Sequence, residues 1–183
     1  MHIAITGKLG SGKSTVAKIL SDRLGYEIYS TGSVQRHAAE EMGISTLELN
    51  ERMKTDPSLD HVIDGAVTSI SKERDHIIFD SRMAWHFAHN AFRVFINVDA
   101  DEAARRVFSA ERGDVETYKT VDEAKDSLIK RGELERERFL SIYGVDYPDP
   151  ANYDLVVDST DKSPDEVADT IIREFERFTA DRA

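Results

Sequence analysis

Short apolar runs alternate along this chain with longer segments in which apolar residues recur every three or four positions. The runs predict five β-strands, at His2–Thr6, Tyr26–Ser30, His76–Asp80, Phe92–Val98 and Tyr153–Val157. The last segment has helical spacing, because Val167, Ile171 and Phe175 fall on one helix face. Parallel neighbouring strands need a crossover connection, so the alternation predicts a doubly wound α/β fold with five parallel strands flanked by helices.

Two insertions interrupt the alternation. Residues 45–71 begin with the capping-box pattern of Ser45 and Glu48 and predict two short helices. Residues 111–142 are polar and rich in basic side chains. No repeat, low-complexity segment or Gly/Ser/Pro-rich linker divides the chain, so we expect a single domain over residues 1–183 that carries both insertions as helical appendages.

Composition narrows the possible partners. The formal net charge is −11, which disfavours a nucleic-acid polymer as partner unless basic residues cluster in one cleft. The absence of cysteine excludes disulfides, thiolate nucleophiles and Cys-ligated metal centres. We see no signal-peptide pattern and no apolar run of about 18 residues, so we expect a cytoplasmic protein without membrane contact.

A glycine-rich motif follows the first predicted strand and precedes a predicted helix. Residues 7–14 read GKLGSGKS and match the phosphate-binding P-loop pattern G-x-x-x-x-G-K-[ST]. Glycines let backbone N–H groups face phosphate oxygens, and the lysine adds a positive charge. The alternative is a plain strand-to-helix turn. The predicted ATP-binding residues are Gly7, Gly10, Ser11, Gly12, Lys13, Ser14 and Thr15.

The motif alone does not distinguish kinases from GTPases or from ATPases that do mechanical work. The chain has no N-K-x-D segment for reading guanine, which disfavours a GTPase. Asp80 ends an apolar strand, where a carboxylate can reach Mg²⁺ beside the phosphate loop, with Ser14 as the second metal-binding candidate. The alternative for Asp80 is an ordinary polar strand end.

Arginines occupy positions where they can meet a second phosphate. Thr31 and Arg36 follow the second predicted strand, with Thr31 placed ahead of the next helix, and Arg82 follows Asp80. A guanidinium grips phosphate in bidentate fashion, although each arginine can also be a solvated surface residue. Further along the chain, Arg131 and Arg138 share one helix face with Glu135 between them.

The helical face formed by Arg131, Glu135 and Arg138 has two interpretations. A surface ion pair worth about 0.3 to 0.5 kcal/mol is the ordinary outcome for such spacing. Alternatively, a mobile basic helix supplies cations to a phosphoryl-transfer transition state when the site closes. Another helical pair, His86 and His89, has no third ligand at suitable spacing, so we interpret it as a packing or surface pair.

Taken in order, these motifs resemble those of the nucleoside monophosphate kinases, closest to the short archaeal and bacterial cytidylate kinases. The resemblance covers nearly the whole chain and implies transfer of the ATP γ-phosphoryl group to CMP or dCMP, with Mg²⁺. It also implies a core sheet, an acceptor-binding flap over about residues 45–71 and a lid over about residues 111–142. We expect a predominantly monomeric enzyme.

The resemblance also implies roles for individual residues. Lys13 and the loop would hold the ATP phosphates; Thr31, Arg36 and Arg82 the acceptor; Arg131 and Arg138 the transferred phosphoryl group; and Arg106 would lie at the base of the lid. Glu135 is assigned to the acceptor site. Since an acceptor phosphate is already an anionic nucleophile, no strong general base is expected.

Several positions depart from the family pattern, namely Gln35, Ser81 and Met83 around the two acceptor arginines. Met83 stands where the longer cytidylate kinases have an acidic residue that can accept a hydrogen bond from the cytosine amino group. Asp60 and Asp64 are candidates for taking over that role; the alternative is that they are solvated helix residues. Gly132 within the lid helix is a candidate hinge. A kinase of another small metabolite and a nucleotide-binding regulatory protein remain alternatives.

Overall fold

The computed structural model describes residues 1–109 and 118–182. In these residues five strands form one sheet in the order β2-β3-β1-β4-β5, and every neighbouring pair is parallel. The strands are β1 His2–Gly7, β2 Glu27–Ser30, β3 Ile77–Asp80, β4 Ala91–Asn97 and β5 Leu155–Asp158. The predicted doubly wound α/β class is confirmed.

The described residues contain eight α-helices. They are α1 Lys13–Leu24, α2 Thr31–Glu41, α3 Thr46–Met53, α4 Ser58–Glu73, α5 Ala84–Phe87, α6 Ala100–Ser109, α7 Val121–Tyr143 and α8 Pro164–Ala180. The predicted capping box of Ser45 and Glu48 opens α3, and a second capping box, formed by Ser163 and Glu166, opens α8. Among these helices, none combines the length and the apolarity needed to cross a membrane.

Predicted boundaries shift where local hydrogen bonds compete with the sheet. Tyr26 lies outside β2 because its carbonyl accepts from Ser21 Oγ at the end of α1. At β5, the Asp154 carboxylate accepts from the backbone N–H and the guanidinium of Arg93, and the strand begins at Leu155, two residues after the predicted start at Tyr153. Thr31 is the first residue of α2 rather than the residue ahead of it.

The two faces of the sheet bury separate apolar clusters. On one face, Ile5 and Ile96 of the central strands pack with Leu20 of α1 and Ile171 of α8. On the other, Phe79 of β3 packs with helices α4 and α5. Each covered face removes apolar side chains from water, the main favourable term in folding. This packing fixes the carboxyl ends of β1 and β3 side by side, where the phosphate loop begins.

The two insertions meet on one side of this edge. Helices α3 and α4 form the predicted flap, although α4 runs on to Glu73 because its later turns, including Val67, pack under the sheet. The predicted lid is represented by α7, which ends at Gly144 in a left-handed conformation. Residues 110–117, part of that prediction, lie outside the described residues.

The predicted pairing of His86 and His89 on one helix is wrong. Helix α5 ends at Phe87, and the backbone N–H of His89 donates instead to Ser71 Oγ at 2.9 Å. Trp85, in the same short helix, is a packing residue, buried in a cluster with Phe95 and Phe139.

Candidate active site

The phosphate loop links β1 to α1 through backbone conformations that require glycine. Gly10 has φ +76°, and a Cβ there would lie 2.8 Å from the Ala103 carbonyl oxygen. Gly12 has φ +85° and caps the N-terminus of α1 without a side-chain hydrogen bond. The first turn of α1 therefore presents backbone N–H groups and the positive end of the helix dipole, the arrangement that attracts phosphate.

Lys13 folds back over this loop. Its Nζ donates to the carbonyl oxygens of Gly7 at 3.1 Å and Lys8 at 2.9 Å. Desolvation, followed by the nearby charge of Arg82, lowers the pKa of Lys13 well below its ordinary value, and Asp80 acts in the opposite direction. An anionic phosphate at the loop would favour the charged amine, so ligand binding and the lysine charge are coupled.

Ser14 and Asp80 meet at the mouth of the loop. Ser14 Oγ donates to Asp80 Oδ2 at 2.6 Å, and Ser30 Oγ approaches the same oxygen at 3.3 Å. A hydroxyl and a carboxylate are hard oxygen ligands, and Mg²⁺ uses one or two of these together with substrate phosphates and water. The pair therefore fits Mg²⁺, with Ser14 and Asp80 as the residues that would hold it.

One cavity of about 90 Å³ brings most of the predicted site residues together. They come from the phosphate loop, from the ends of β2 and β3 and from α7, and Gln35 and Ser81 line it as well. The predicted residues lining it are Gly10, Gly12, Lys13, Ser14, Thr15, Thr31, Arg36, Asp80, Arg82 and Arg131. The protein as a whole is acidic, but the lysine and arginines of this cavity concentrate positive charge there, which favours binding of a phosphate group.

Glu135 lies behind two of these arginines and joins them. Its Oε2 accepts from Arg82 Nε at 2.7 Å and its Oε1 from Arg131 Nε at 3.2 Å. Burial alone would raise the pKa of Glu135, but Arg82, Arg131 and Arg138 hold it at about 2. The surface-ion-pair interpretation of this helix face is excluded, since Arg131 is 6%, Glu135 1% and Arg138 1% exposed.

Arg138 does not line the phosphate cavity. It lies two turns beyond Arg131 on α7, where Nη1 donates to Asn50 Oδ1 at 2.7 Å and Nε lies 3.0 Å from Asp60 Oδ2. Arg131 in turn donates through Nη1 to Thr46 Oγ1 at 3.2 Å. Helix α3 therefore contacts both lid arginines directly, and α4 contacts Arg138.

The two flap aspartates are buried, which rules out the solvated-residue interpretation; Asp60 is 3% and Asp64 5% exposed. Asp64 Oδ2 accepts from Tyr143 Oη at 2.5 Å. Burial raises the pKa of Asp64 to about 6, with the tyrosine hydrogen bond opposing and Asp60 adding to the rise. Burial also raises the pKa of Asp60, against the opposing charge of Arg138. Both carboxyl groups thus face α7.

A second cavity, of about 310 Å³, adjoins the other side of the phosphate loop. Arg106 lines it and donates to the carbonyl oxygens of Ser159 at 2.7 Å and Thr160 at 3.1 Å. Ser159 Oγ donates to the Ser11 carbonyl at 3.2 Å and so ties the loop after β5 to the phosphate loop. The predicted position of Arg106 at the lid base fits its place near the end of α6.

Sequence reasoning missed Thr46, Asn50 and Ser159 as parts of this region. Asn50 carried a weak signal, because an amide between the apolar positions Leu49 and Met53 interrupts the buried face of α3. Met83, which departs from the family pattern, is buried among aromatic side chains and is a core residue. With methionine at position 83, this position offers no polar group to an acceptor nucleotide.

A P-loop beside an arginine-lined cavity, on a doubly wound parallel sheet, defines a P-loop phosphotransferase. The chain belongs to the cytidylate kinase-like family, whose model matches residues 2–161. It is accordingly a phosphotransferase with ATP as co-substrate, and the family resemblance of the sequence motifs is confirmed.

Two of the relatives reported below are named cytidylate kinases, and a third, much longer protein has a different name. The chain is 35% identical to a cytidylate kinase of Thermoplasma volcanium over 183 residues, covering 98% of this chain and 93% of that one. It is 37% identical to a cytidylate kinase of Natronomonas pharaonis over 169 residues, covering 91% and 85%. A similar match, 35% over 179 residues, is to an S-adenosylmethionine-dependent nucleotide dehydratase of Lacinutrix mariniflava; it covers 97% of this chain but only 36% of that protein.

Solved structures support the fold. A shikimate kinase from Aquifex aeolicus superposes with a TM-score of 0.55 at 19% identity, covering 96% of each chain. A deoxyadenosine kinase from M. mycoides gives a TM-score of 0.53 at 19% identity, covering 97% of this chain and 100% of that one. At this identity the likeness concerns the fold alone.

Proposed function

We propose that the protein transfers the γ-phosphoryl group of Mg-ATP to the phosphate of a nucleoside monophosphate, with CMP or dCMP as the preferred acceptor. The proposal rests on the observation that Arg36, Arg82 and Arg131 line the same cavity as Lys13. Lys13 and the loop N–H groups serve the phosphates of ATP. Three further guanidinium groups fit a second phosphate, which acceptors that offer only a hydroxyl do not have.

On the ATP side, the phosphate loop receives the β- and γ-phosphates. The larger cavity across the loop, lined by Arg106 and Ser159, is then the position for the nucleoside of ATP. Mg²⁺, when bound through Ser14 and Asp80, neutralises charge on the phosphates. Lys13 leaves the carbonyl oxygens of Gly7 and Lys8 to follow the γ-phosphoryl group.

On the acceptor side, Thr31, Arg36 and Arg82 hold the acceptor phosphate, and Arg131 faces the phosphoryl group between the two substrates. Glu135 keeps Arg82 and Arg131 in place; with a pKa of about 2 it stays charged and does not act as a proton donor. Arg138 lies outside the phosphate cavity, so we assign it to the nucleoside portion of the acceptor. Catalysis is positioning plus charge neutralisation.

The choice of cytosine is supported by the names of the relatives and by the carboxyl groups on the flap. A carboxylate accepts from the exocyclic amino group of cytosine, a group that uracil lacks. Asp60 and Asp64 are the candidates, and their contacts with Arg138 and Tyr143 would have to rearrange or be shared. Residues 1–183 act as one kinase domain in which flap and lid close to exclude water. A monomeric state and a cytoplasmic location stay predictions.

A kinase of another small metabolite is the competing function, favoured by Gln35 and Ser81 in the acceptor cavity. The test is ADP production from Mg-ATP with CMP, dCMP, UMP, AMP, GMP or shikimate, beside a no-acceptor control. We expect CMP or dCMP to exceed the other acceptors. Preference for shikimate would establish the competing function, and ADP release independent of any acceptor would contradict both.

A further inference from the structure

Arg138 belongs to α7, yet the groups that contact its guanidinium lie on the flap. Nη1 donates to Asn50 of α3 and Nε faces Asp60 of α4. Within the described residues, neither Nε nor Nη2 has a hydrogen-bond partner although Arg138 is only 1% exposed; Nε at least forms an ion pair with Asp60. A buried guanidinium donor left unmatched is costly, which marks Nη2 as the donor available to a ligand.

Asn50 has both ends of its amide engaged by the protein. Oδ1 accepts from Arg138 Nη1 at 2.7 Å, and Nδ2 donates to the Thr46 carbonyl at 2.7 Å. The side chain is 1% exposed, so it acts through Arg138 rather than on a substrate. Burying an amide and placing asparagine inside a helix are both unfavourable unless its hydrogen bonds are made. If position 50 served only to pack α3 against its neighbours, leucine would be more favourable there than asparagine.

The same turn of α3 serves the other lid arginine. Thr46, four residues before Asn50, accepts from Arg131 Nη1 through its hydroxyl oxygen at 3.2 Å. Thr46 and Asn50 share one helix face, as do Arg131 and Arg138 across from them. Because the Asn50 amide also bonds the Thr46 backbone, one rigid turn of the flap contacts both guanidinium groups.

We propose that Asn50 is a positioning residue, which fixes the Arg138 guanidinium so that Nη2 is presented to the acceptor only when the flap lies against α7. The inference rests on the proposed function and deepens it. The flap cannot then close without orienting the Arg138 guanidinium, since α3 of the flap supplies the oxygen that accepts from it. Closure of the flap would make transfer dependent on acceptor binding.

The test compares Asn50→Leu with wild type in acceptor-dependent ADP production. Leucine keeps most of the volume and removes the oxygen that accepts from Arg138. We expect kcat/KM for CMP to fall about 10- to 100-fold, the range for losing a hydrogen bond to a charged group, while KM for ATP stays constant. Should Asn50→Leu fail to fold, Asn50→Ala removes the same oxygen without steric conflict and carries the same expectation.

Two further variants separate positioning from simple adhesion of flap to lid. Glu51→Gln is the matched control: Glu51 is the next residue, pairs with Lys130 of α7 at 2.7 Å and is exposed, so activity should be unchanged. Asn50→Asp keeps an acceptor oxygen and should retain more activity than Asn50→Leu. The Arg138→Ala background completes a double-mutant cycle, in which Asn50→Leu should cause no further loss.

The outcomes distinguish the inference from the function on which it rests. A folded Asn50→Leu protein with wild-type kcat/KM for CMP would overturn the positioning role, as would losses that simply add to those of Arg138→Ala. Equal losses in Asn50→Leu and Glu51→Gln would show adhesion instead and would also overturn it. If wild type forms no acceptor-dependent ADP, the proposed function fails, whatever the variants do.

Discussion

The two halves of the site are built in different ways. The phosphate-loop half uses consecutive residues, backbone N–H groups and one helix end, and its lysine bonds only to loop carbonyl oxygens among its described contacts. The acceptor half takes side chains from the ends of β2 and β3, from the flap and from α7. A contiguous half can be fixed by local conformation, whereas the assembled half depends on tertiary packing and buried ion pairs.

This difference predicts how variants divide. Changes in the phosphate-loop half should remove turnover with every acceptor. Changes in the acceptor half should alter acceptor use and stability while ATP binding persists. Four substitutions test this difference between the two halves.

Lys13→Ala should lower kcat by about two to three orders of magnitude, the range for losing one preorganised electrostatic contact to developing charge. The fold should survive because Lys13 Nζ donates only to Gly7 and Lys8 of its own loop among the described residues. ADP production and thermal unfolding measure the two effects. Lys18→Ala, an exposed lysine on the same helix, is the control. Full turnover by folded Lys13→Ala protein would refute the role of the loop.

Arg36→Ala should raise KM for CMP about 10- to 100-fold, because a charge-assisted contact to the acceptor phosphate is lost. The dissociation constant of ATP should be unchanged, as measured by calorimetry. Arg52→Ala, which removes an exposed arginine of the flap, should leave both values unchanged. Equal weakening of ATP and CMP by Arg36→Ala in a folded protein would contradict the division into halves.

Asp64→Asn should stabilise the protein at pH 8. The folded-state pKa of Asp64 is about 6 against an ordinary 3.8, so ionised Asp64 costs up to about 3 kcal/mol above pH 6. That cost disappears as pH falls from about 6 towards 4, because the folded state keeps its proton. Urea unfolding at pH 4, 6 and 8 should show a difference that grows with pH. A pH-independent loss of stability would count against a buried ionised carboxylate.

Gly132→Ala should have the smallest effect, a gain of about 0.5 to 1 kcal/mol in the free energy of unfolding. Gly132 lies inside α7, and an added Cβ would meet nothing within 4 Å. If Gly132 is a hinge, kcat falls modestly while the protein becomes more stable. Glu133→Ala, at the exposed neighbouring position, controls for helix propensity. A loss of stability in Gly132→Ala would show that α7 needs this glycine for packing.

The fold class and the phosphate loop could be predicted from the sequence, because the first depends on local periodicity and the second is a contiguous motif. Gly10 and Gly12 adopt the left-handed conformations that the motif requires. Strand ends were shifted where a side chain competed for the backbone, as Asp154 does at β5. The bond at β5 joins residues that are 61 positions apart in the chain, and periodicity carries no information about it.

The acceptor half was predictable only in part. The spacing of Arg131, Glu135 and Arg138 placed them on one face, but left open whether that face is solvated or buried. Burial follows from α7 packing against α3, a contact between segments about 85 residues apart. For the same reason Asn50 escaped notice, since its partner Arg138 is 88 residues away. Identifying it required the packed structure.

The central claim is that the phosphoryl group passes from ATP at the loop to a phosphate held by the arginines. The most direct measurement follows the label from ATP carrying a radioactive γ-phosphate in the presence of CMP. The account predicts label in the β-phosphate of CDP and little inorganic phosphate, since the closed site excludes water. Label found only in inorganic phosphate, with CMP unchanged, would contradict it.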